Sequence, residues 1–248
     1  MRHTTSFFSL FAWLLAAPCL AQTTDTASAP QAVFKRLQDA MGSDPLDFQT
    51  TIVSRDEYLG TVRGKAHFVI RRPNAFRIEG SLGRASYILV SDGQTMTIYN
   101  PHEQKFAELP APASPDEGLS LLAGLASAQS RILDLVEVIQ EVASGSERTR
   151  VTLAGTNTIG GRQCDHFNIV GTTAMRVARW EVWLEQKETP IPCKFMVTSS
   201  DGVSRDIETN EFSSKLNPVF SSDEFKFTAP AGSEKVDSVG ALGLRPAY

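Results

Sequence analysis

Residues 62–70 alternate between apolar and polar side chains, and this period of two constrains the fold more than any other feature of the sequence. Successive side chains of a β-strand point to opposite faces, so the alternation predicts a strand with one buried and one solvent-exposed face. The same pattern continues in 76–79 and 96–98. The sequence therefore predicts antiparallel strands whose inward face carries Phe68, Ile70, Phe76, Ile78, Met96 and Ile98.

Turn signals separate these strands and further strands follow them. Pro73-Asn74 ends one strand, and Asp92-Gly93 is predicted to form a hairpin turn because both residues tolerate positive φ. The total is about ten strands. Later strands are predicted to begin at Arg150 and to cover 163–170, 178–186, 192–198, 205–212 and Glu224–Phe227.

Three segments have helical spacing instead. Residues 32–41 place apolar side chains on one helical face, and Gly42 follows as a stop signal. Ser114 is expected to cap a helix that begins at Pro115, with Glu117 three residues later. The helices of 115–142 are interpreted either as a lid over the sheet or as ordinary core helices. The candidate lid residues are Leu121, Leu122 and Leu125.

The N-terminus predicts export. Residues 1–21 combine Arg2, a short apolar core and small residues before a cut after Ala21, as in a secretory signal peptide. A lipoprotein signal with Cys19 as the lipidated residue is the alternative. We expect a flexible leader at 22–30, a single domain at 31–236 and a C-terminal tail at 237–248. No later stretch is apolar enough to anchor the mature chain in a membrane.

The net charge and the cysteines limit the classes of protein to which the chain can belong. The formal net charge of −4 argues against a nucleic-acid partner, and a monomer is expected. An oxidising compartment permits a disulfide between Cys164 and Cys193. In a regular meander, however, a strand separates them by about 10 Å, beyond the Cα limit of about 7 Å for a disulfide. Both cysteines lie at one end of the sheet, where strands can splay. The sequence is therefore compatible with a disulfide and equally with two free thiols.

The sequence has no recognisable catalytic or metal-binding motif. The triplet Cys164-Asp165-His166 places its middle residue on the opposite strand face from the other two, which leaves too few ligands for zinc. We therefore expect no enzyme activity, no metal and no cofactor. Trp180 and Trp183 also fall on opposite faces, and Trp180 shares its face with apolar residues, which makes it a candidate for an apolar cavity.

The order of these segments resembles the bacterial lipoprotein-carrier superfamily of LolA and LolB. The resemblance rests on the hairpin Arg72–Arg77, the proline-rich helical insert and a terminal Phe-x-Phe-x-x-Pro at Phe225–Pro230. Residues 164–167, 180–184 and 190–194 are similar to one branch of predicted periplasmic proteins of unassigned function. The resemblance covers residues 30–236. It implies a mainly β fold, an incomplete antiparallel barrel wrapped around helices, with an apolar cavity that receives acyl chains in the carriers.

Three functions follow as hypotheses. The first is a periplasmic, non-catalytic protein that carries or senses lipid or lipoprotein acyl chains in an apolar cavity. The second is a periplasmic sensor or assembly partner that binds another protein. The third is a secreted hydrolase without a recognisable motif.

Overall fold

The computed structural model describes residues 28–43, 45–126, 131–172, 177–200, 205–216, 218–221 and 223–246. The predicted signal peptide and most of the predicted leader lie outside these residues. Three α-helices are described, α1 Ser28–Ser43, α2 Pro115–Ala126 and α3 Ile132–Ala143. The first helix begins before residue 32, so residues 28–30 belong to it rather than to a leader. Ser114 caps α2 as predicted, because its Oγ accepts the Glu117 N–H at 3.3 Å.

Within the described residues, twelve strands form one sheet, against about ten predicted. They are β1 Leu46–Asp56, β2 Gly60–Arg71, β3 Ala75–Leu82, β4 Ala85–Asp92, β5 Thr95–Asn100, β6 Lys105–Pro110, β7 Thr149–Ile159, β8 Arg162–Thr172, β9 Val177–Glu185, β10 Pro192–Ser200, β11 Arg205–Leu216 and β12 Glu234–Lys235.

The sheet is open and almost entirely antiparallel. Its order is β12-β6-β5-β4-β3-β2-β1-β11-β10-β9-β8-β7, and β12 and β6 are the one parallel pair among these described strands. Inward side chains of the sheet belong to one core cluster with α1 and α3. The predicted mainly β fold, an incomplete barrel wrapped around helices, is confirmed.

The hairpin after β4 forms at the predicted place. Gly93 has a φ of 97°, and the two-residue loop is Gly93-Gln94 rather than Asp92-Gly93. Asp92 closes the turn because its Oδ1 accepts the N–H groups of Gln94 and Thr95 at 2.8 and 2.9 Å. The Asn74 amide donates to the Gly93 carbonyl at 3.1 Å, so the turns after β2 and β4 support each other.

The predicted strand at Glu224–Phe227 is wrong, although its alternation of aromatic and polar residues is typical of a strand. The segment pairs with no strand, and its two phenylalanines contact the outer face of the sheet instead. Phe225 packs with Val69 and Ala75, and Phe227 lies 5.3 Å from the Phe106 ring. Aromatic burial at these two positions therefore produced the same period as a β-strand.

The chain remains packed beyond residue 236. A short 3-10 helix, Val239–Leu242, places Leu242 in the main core with no exposed surface. The Asn100 amide donates to the Leu242 carbonyl at 2.9 Å. The stretch expected to be a C-terminal tail thus supplies part of the core.

Cys164 and Cys193 form a disulfide with a Cα–Cα distance of 6.6 Å. The intervening strand β9 ends opposite Cys164, at Glu185, and the register of β10 shifts between Pro192 and Lys194. The cysteines therefore meet around the end of β9 rather than across regular strands, which is why the regular spacing overestimated their separation. The disulfide packs with Trp183 on the outer face, opposite the core that Trp180 contacts, so the two tryptophans lie on opposite faces as predicted.

Candidate functional site

An apolar cavity of about 310 Å³ lies between the inward face of the sheet and the helices. Three neighbouring strands form its floor, namely β11, β1 and β2, and α1 and α3 form its walls. A loop before β10 closes one side. The apolar lining consists of Leu37, Ala40, Met41, Leu46, Phe48, Phe68, Ile70, Leu119, Ile132, Leu135, Val136, Ile139, Pro190, Ile191, Pro192 and Phe212.

Aromatic side chains build the floor. Phe48 and Phe68 are cross-strand partners, and their rings stack with centroids 4.4 Å apart. Phe212 on β11 lies 6.3 Å from the Phe48 ring. Such pairs stabilise a sheet beyond the area that they bury. The floor is therefore a mainly apolar surface whose shape is set by the registers of three strands.

The helix α3 supplies the opposite wall. Its buried side chains Ile132, Leu135 and Ile139 follow helical spacing and face the cavity. The acidic residues of α3 lie on its other side. Burial, followed by repulsion from Asp134 and Glu141, raises the pKa of Glu137. The wall is thus the apolar face of an amphipathic helix, whose opposite face carries the acidic residues.

Polar residues make up the smaller part of the cavity lining. Arg72 donates through Nε to the Met41 carbonyl at 2.9 Å, at the end of α1. Asp47 and Lys215 are also among the lining residues, but the alternation of β1 and β11 points their side chains to the outer face of the sheet, where Asp47 Oδ1 lies 2.8 Å from His67 Nε2. Asp116, at the start of α2, also lines the rim. An apolar interior with few polar groups at its edge is the usual composition of a small-molecule site.

The structure divides the predicted cavity residues into two groups. Phe68 and Ile70 line the cavity. Four others are buried in the core away from the cavity lining, namely Phe76, Ile78, Met96 and Ile98.

The remaining candidates do not line the cavity in the described part of the structure. Trp180 packs against the core without reaching the cavity. Leu121 on α2 is 39% exposed. The side chains of Leu122 and Leu125 lie outside the described residues.

Two buried polar residues were missed on the inward face. Glu208 and Asn210 on β11 are 1% and 0% exposed. The sequence contains the signal, because both have the same parity as Phe212 and therefore share its face. Burial raises the pKa of Tyr87 to about 12, and the negative charge of Glu208 adds to the effect. Two buried ionisable side chains, Tyr87 and Glu208, thus lie on the inward face of the sheet.

A second depression, of about 590 Å³, lies on the outer face of the sheet. Along the strands, its lining side chains alternate with those of the apolar cavity floor. They include Gln49, Lys65, His67 and Glu211. It is larger than the apolar cavity, but its side chains are those of the solvent-exposed sheet face predicted from the alternation. Its size alone therefore does not mark it as the functional site.

None of the helices in the described ranges is long and apolar enough to cross a membrane. No group of three or more His, Cys, Asp or Glu side chains in the described part is arranged to hold a metal ion. His166, from the Cys-Asp-His triplet, instead approaches Glu181 at 2.9 Å and stacks on Trp183.

Comparison with known proteins identifies the family. A family model described as "Predicted periplasmic protein (DUF2092)" matches residues 40–239. The match confirms the predicted periplasmic location and the predicted branch of unassigned function. A comparison with curated proteins gives no match.

Several solved structures are similar to the chain at low sequence identity. The lipoprotein LppX of Mycobacterium tuberculosis is 13% identical, with a TM-score of 0.46; the alignment covers 79% of this chain and 99% of that one. The MucA/MucB complex of Pseudomonas aeruginosa gives 16% identity and a TM-score of 0.45, covering 81% and 61%. A LolA superfamily protein of Nitrosomonas europaea gives 10% and 0.34, covering 80% and 97%.

Proposed function

The chain belongs to the DUF2092 family of predicted periplasmic proteins, and we propose that it binds a single acyl chain, of a lipid or a lipidated protein, without catalysing a reaction. The observation that carries the proposal is the cavity of about 310 Å³, with its apolar interior and polar rim. An acyl chain matches this division, because its methylenes fill the interior while its polar end stays at the rim.

The size of the cavity favours one chain rather than several. Small-molecule sites usually range from about 300 to 1,000 Å³, so this cavity is near the lower limit. Burial of each methylene is worth about 0.8 kcal/mol, or about fourfold in affinity. Affinity should therefore rise with chain length until the cavity is full, and then stop rising.

A series of saturated fatty acids tests this expectation by displacement of a fluorescent fatty-acid probe. We expect the dissociation constant to fall about fourfold per methylene and then to reach a plateau. Val136→Phe adds volume at the α3 wall and should move the plateau to shorter chains. Leu121→Phe is the matched control, because Leu121 does not line the cavity. Absence of probe binding, or the same plateau in both variants, would contradict the proposal.

A further inference from the structure

A buried carboxylate caps the helix that forms the cavity wall. Glu208 lies on β11, and its side chain reaches the start of α3. Its Oε1 accepts the backbone N–H of Arg131 at 2.8 Å. The same oxygen accepts the side-chain amide of Asn210 at 2.9 Å. The contact joins residues that are 77 positions apart in the sequence, so it is a tertiary contact rather than a local turn.

The described N-cap residue of α3 supplies no side-chain cap. Arg131 precedes Ile132 as the N-cap residue, and its side chain makes no capping hydrogen bond. It approaches Asp134 Oδ2 at 3.2 Å instead. The first N–H groups of a helix lack partners within the helix, and a negative charge there is favourable because of the helix dipole. Glu208 thus performs, from a distant strand, the task that the third residue of a helix, a Glu or Gln, performs locally in a capping box, which is to accept the N–H of the N-cap residue.

Because Glu208 is buried, the carboxylate depends on α3 as much as α3 depends on the carboxylate. Glu208 is 1% exposed, and a buried carboxylate costs several kcal/mol unless hydrogen bonds and opposite charge compensate it. The Arg131 N–H and the Asn210 amide compensate Oε1, and the positive end of α3 favours the charge of the carboxylate. A displacement of α3 would remove part of that compensation, so the burial of Glu208 favours one position of the helix.

We propose that Glu208 is a positioning residue that fixes the N-terminus of α3 and thereby the wall of the apolar cavity. Ile132, the next residue after the capped N–H, lines that cavity, and Leu135 and Ile139 follow on the same face. Asn210 holds the carboxylate in orientation. The inference rests on the proposed function for its effect on ligand, but the cap itself is independent of it.

Two measurements on Glu208→Gln and Glu208→Ala test the proposal. The first is amide hydrogen exchange of the peptide that contains Arg131 to Leu135. The second is the dissociation rate of a fluorescent fatty-acid probe. Loss of a cap in Glu208→Ala should accelerate probe dissociation about fivefold, which corresponds to about 1 kcal/mol. Exchange at the start of α3 should accelerate as well. Glu208→Gln keeps the shape and an acceptor oxygen, so it should give a smaller effect.

Leu242→Ala is the matched control, because it creates a core defect away from α3 and the cavity lining. It should lower the denaturation midpoint without changing exchange at the start of α3 or probe dissociation. The proposal is overturned if exchange there is unchanged in both Glu208 variants, or if Leu242→Ala has the same local effects. If Glu208→Ala is insoluble, Glu208→Gln decides alone. If the wild type binds no probe, the proposed function fails, and hydrogen exchange still decides whether Glu208 caps the helix.

Discussion

The two halves of the inward sheet face share one sequence pattern but have different interiors. On β3 and β5, Phe76, Ile78 and Met96 are buried in a filled core. On the neighbouring β2, Phe68 and Ile70 are buried to a similar degree, but they line the cavity. We call the face of β3 and β5 the filled half and the face of β11, β1 and β2 the hollow half. The alternation of apolar residues therefore determines which face of a strand is inward, but not whether that face is covered by protein alone.

The difference comes from the segments that cover each half. Gly118 brings α2 so close to the filled half that a Cβ there would lie 2.7 Å from the Phe76 ring. Leu242 adds a side chain to the same core from the C-terminal end of the chain. The hollow half is covered mainly by α1, α3 and residues 190–192, with Asp116 and Leu119 of α2 at one side, and these segments leave the cavity between them.

The largest expected effect comes from placing a charge in each half. Phe76→Glu puts a carboxylate in the filled core at a cost of several kcal/mol, a large part of a typical stability of about 5–15 kcal/mol. We expect little soluble protein. Phe68→Glu places its charge beside a cavity that water can enter, so the protein should stay folded but lose the fluorescent probe. Soluble yield, circular dichroism and probe titration distinguish the two. Equal insolubility of both variants would contradict a difference between the halves.

The disulfide should stabilise the hollow half. Cys193 is next to Pro192, which lines the cavity. The two cysteines are separated by 29 positions in sequence, and closing a loop of this size is worth about 3.5 kcal/mol in the chain-entropy model. The double variant Cys164→Ala, Cys193→Ala should lose about that much in urea denaturation and should also bind the probe more weakly. Wild-type protein under reducing conditions is the control. An unchanged midpoint in both samples would show that the bond contributes nothing.

A smaller effect is expected at the turn of the filled half. Gly93 has a φ of 97°, and a Cβ there would lie 3.1 Å from Asn74 Oδ1. Gly93→Val should therefore cost about 1–2 kcal/mol in thermal or urea denaturation, with no change in probe affinity. Gln94→Val, at the next loop position without a positive φ, is the control and should be nearly neutral. Similar losses in both variants would argue that the side chain, not the backbone conformation, matters.

The smallest expected effect is a pH dependence in the same turn. Hydrogen bonds from the Thr95 and Gln94 backbone lower the pKa of Asp92. A carboxyl with a lower pKa in the folded state stabilises the protein above its unfolded pKa of about 4, and this contribution is lost as the pH falls through the folded pKa. Asp92→Asn should therefore lose less stability than the wild type between neutral pH and pH values below about 4. Parallel pH curves for both proteins would contradict this role.

Local patterns predicted the strands, the faces and the turns well. The inward positions of β2, β3 and β5, the positive φ of Gly93 and the cap at Ser114 all follow from residues a few positions apart. Each depends on backbone geometry that neighbouring residues set. The sequence could not show that Cys164 and Cys193 meet, because that depends on where β9 ends and where β10 shifts register.

The cavity itself could be predicted only in part. Its floor residues Phe68 and Ile70 follow from alternation, but its walls come from α1, α3 and a loop far away in sequence. Glu208 shows the same limit: parity places it inward, yet only the fold shows that it meets the N-terminus of α3. Contacts between segments that are distant in sequence therefore determine both the cavity and the contact of Glu208 with α3.

The most direct measurement locates the bound chain by photolabelling. A fatty acid with a terminal diazirine is bound to the full-length protein, activated by light and mapped by peptide mass spectrometry, with unlabelled fatty acid as competitor. Labels that disappear on competition should fall on the cavity lining, in peptides that contain Met41, Ile70 or Ile191. Competed labels on peptides around Met96 instead, or only at the exposed hairpin tip of Tyr58 and Leu59, would contradict binding in the hollow half.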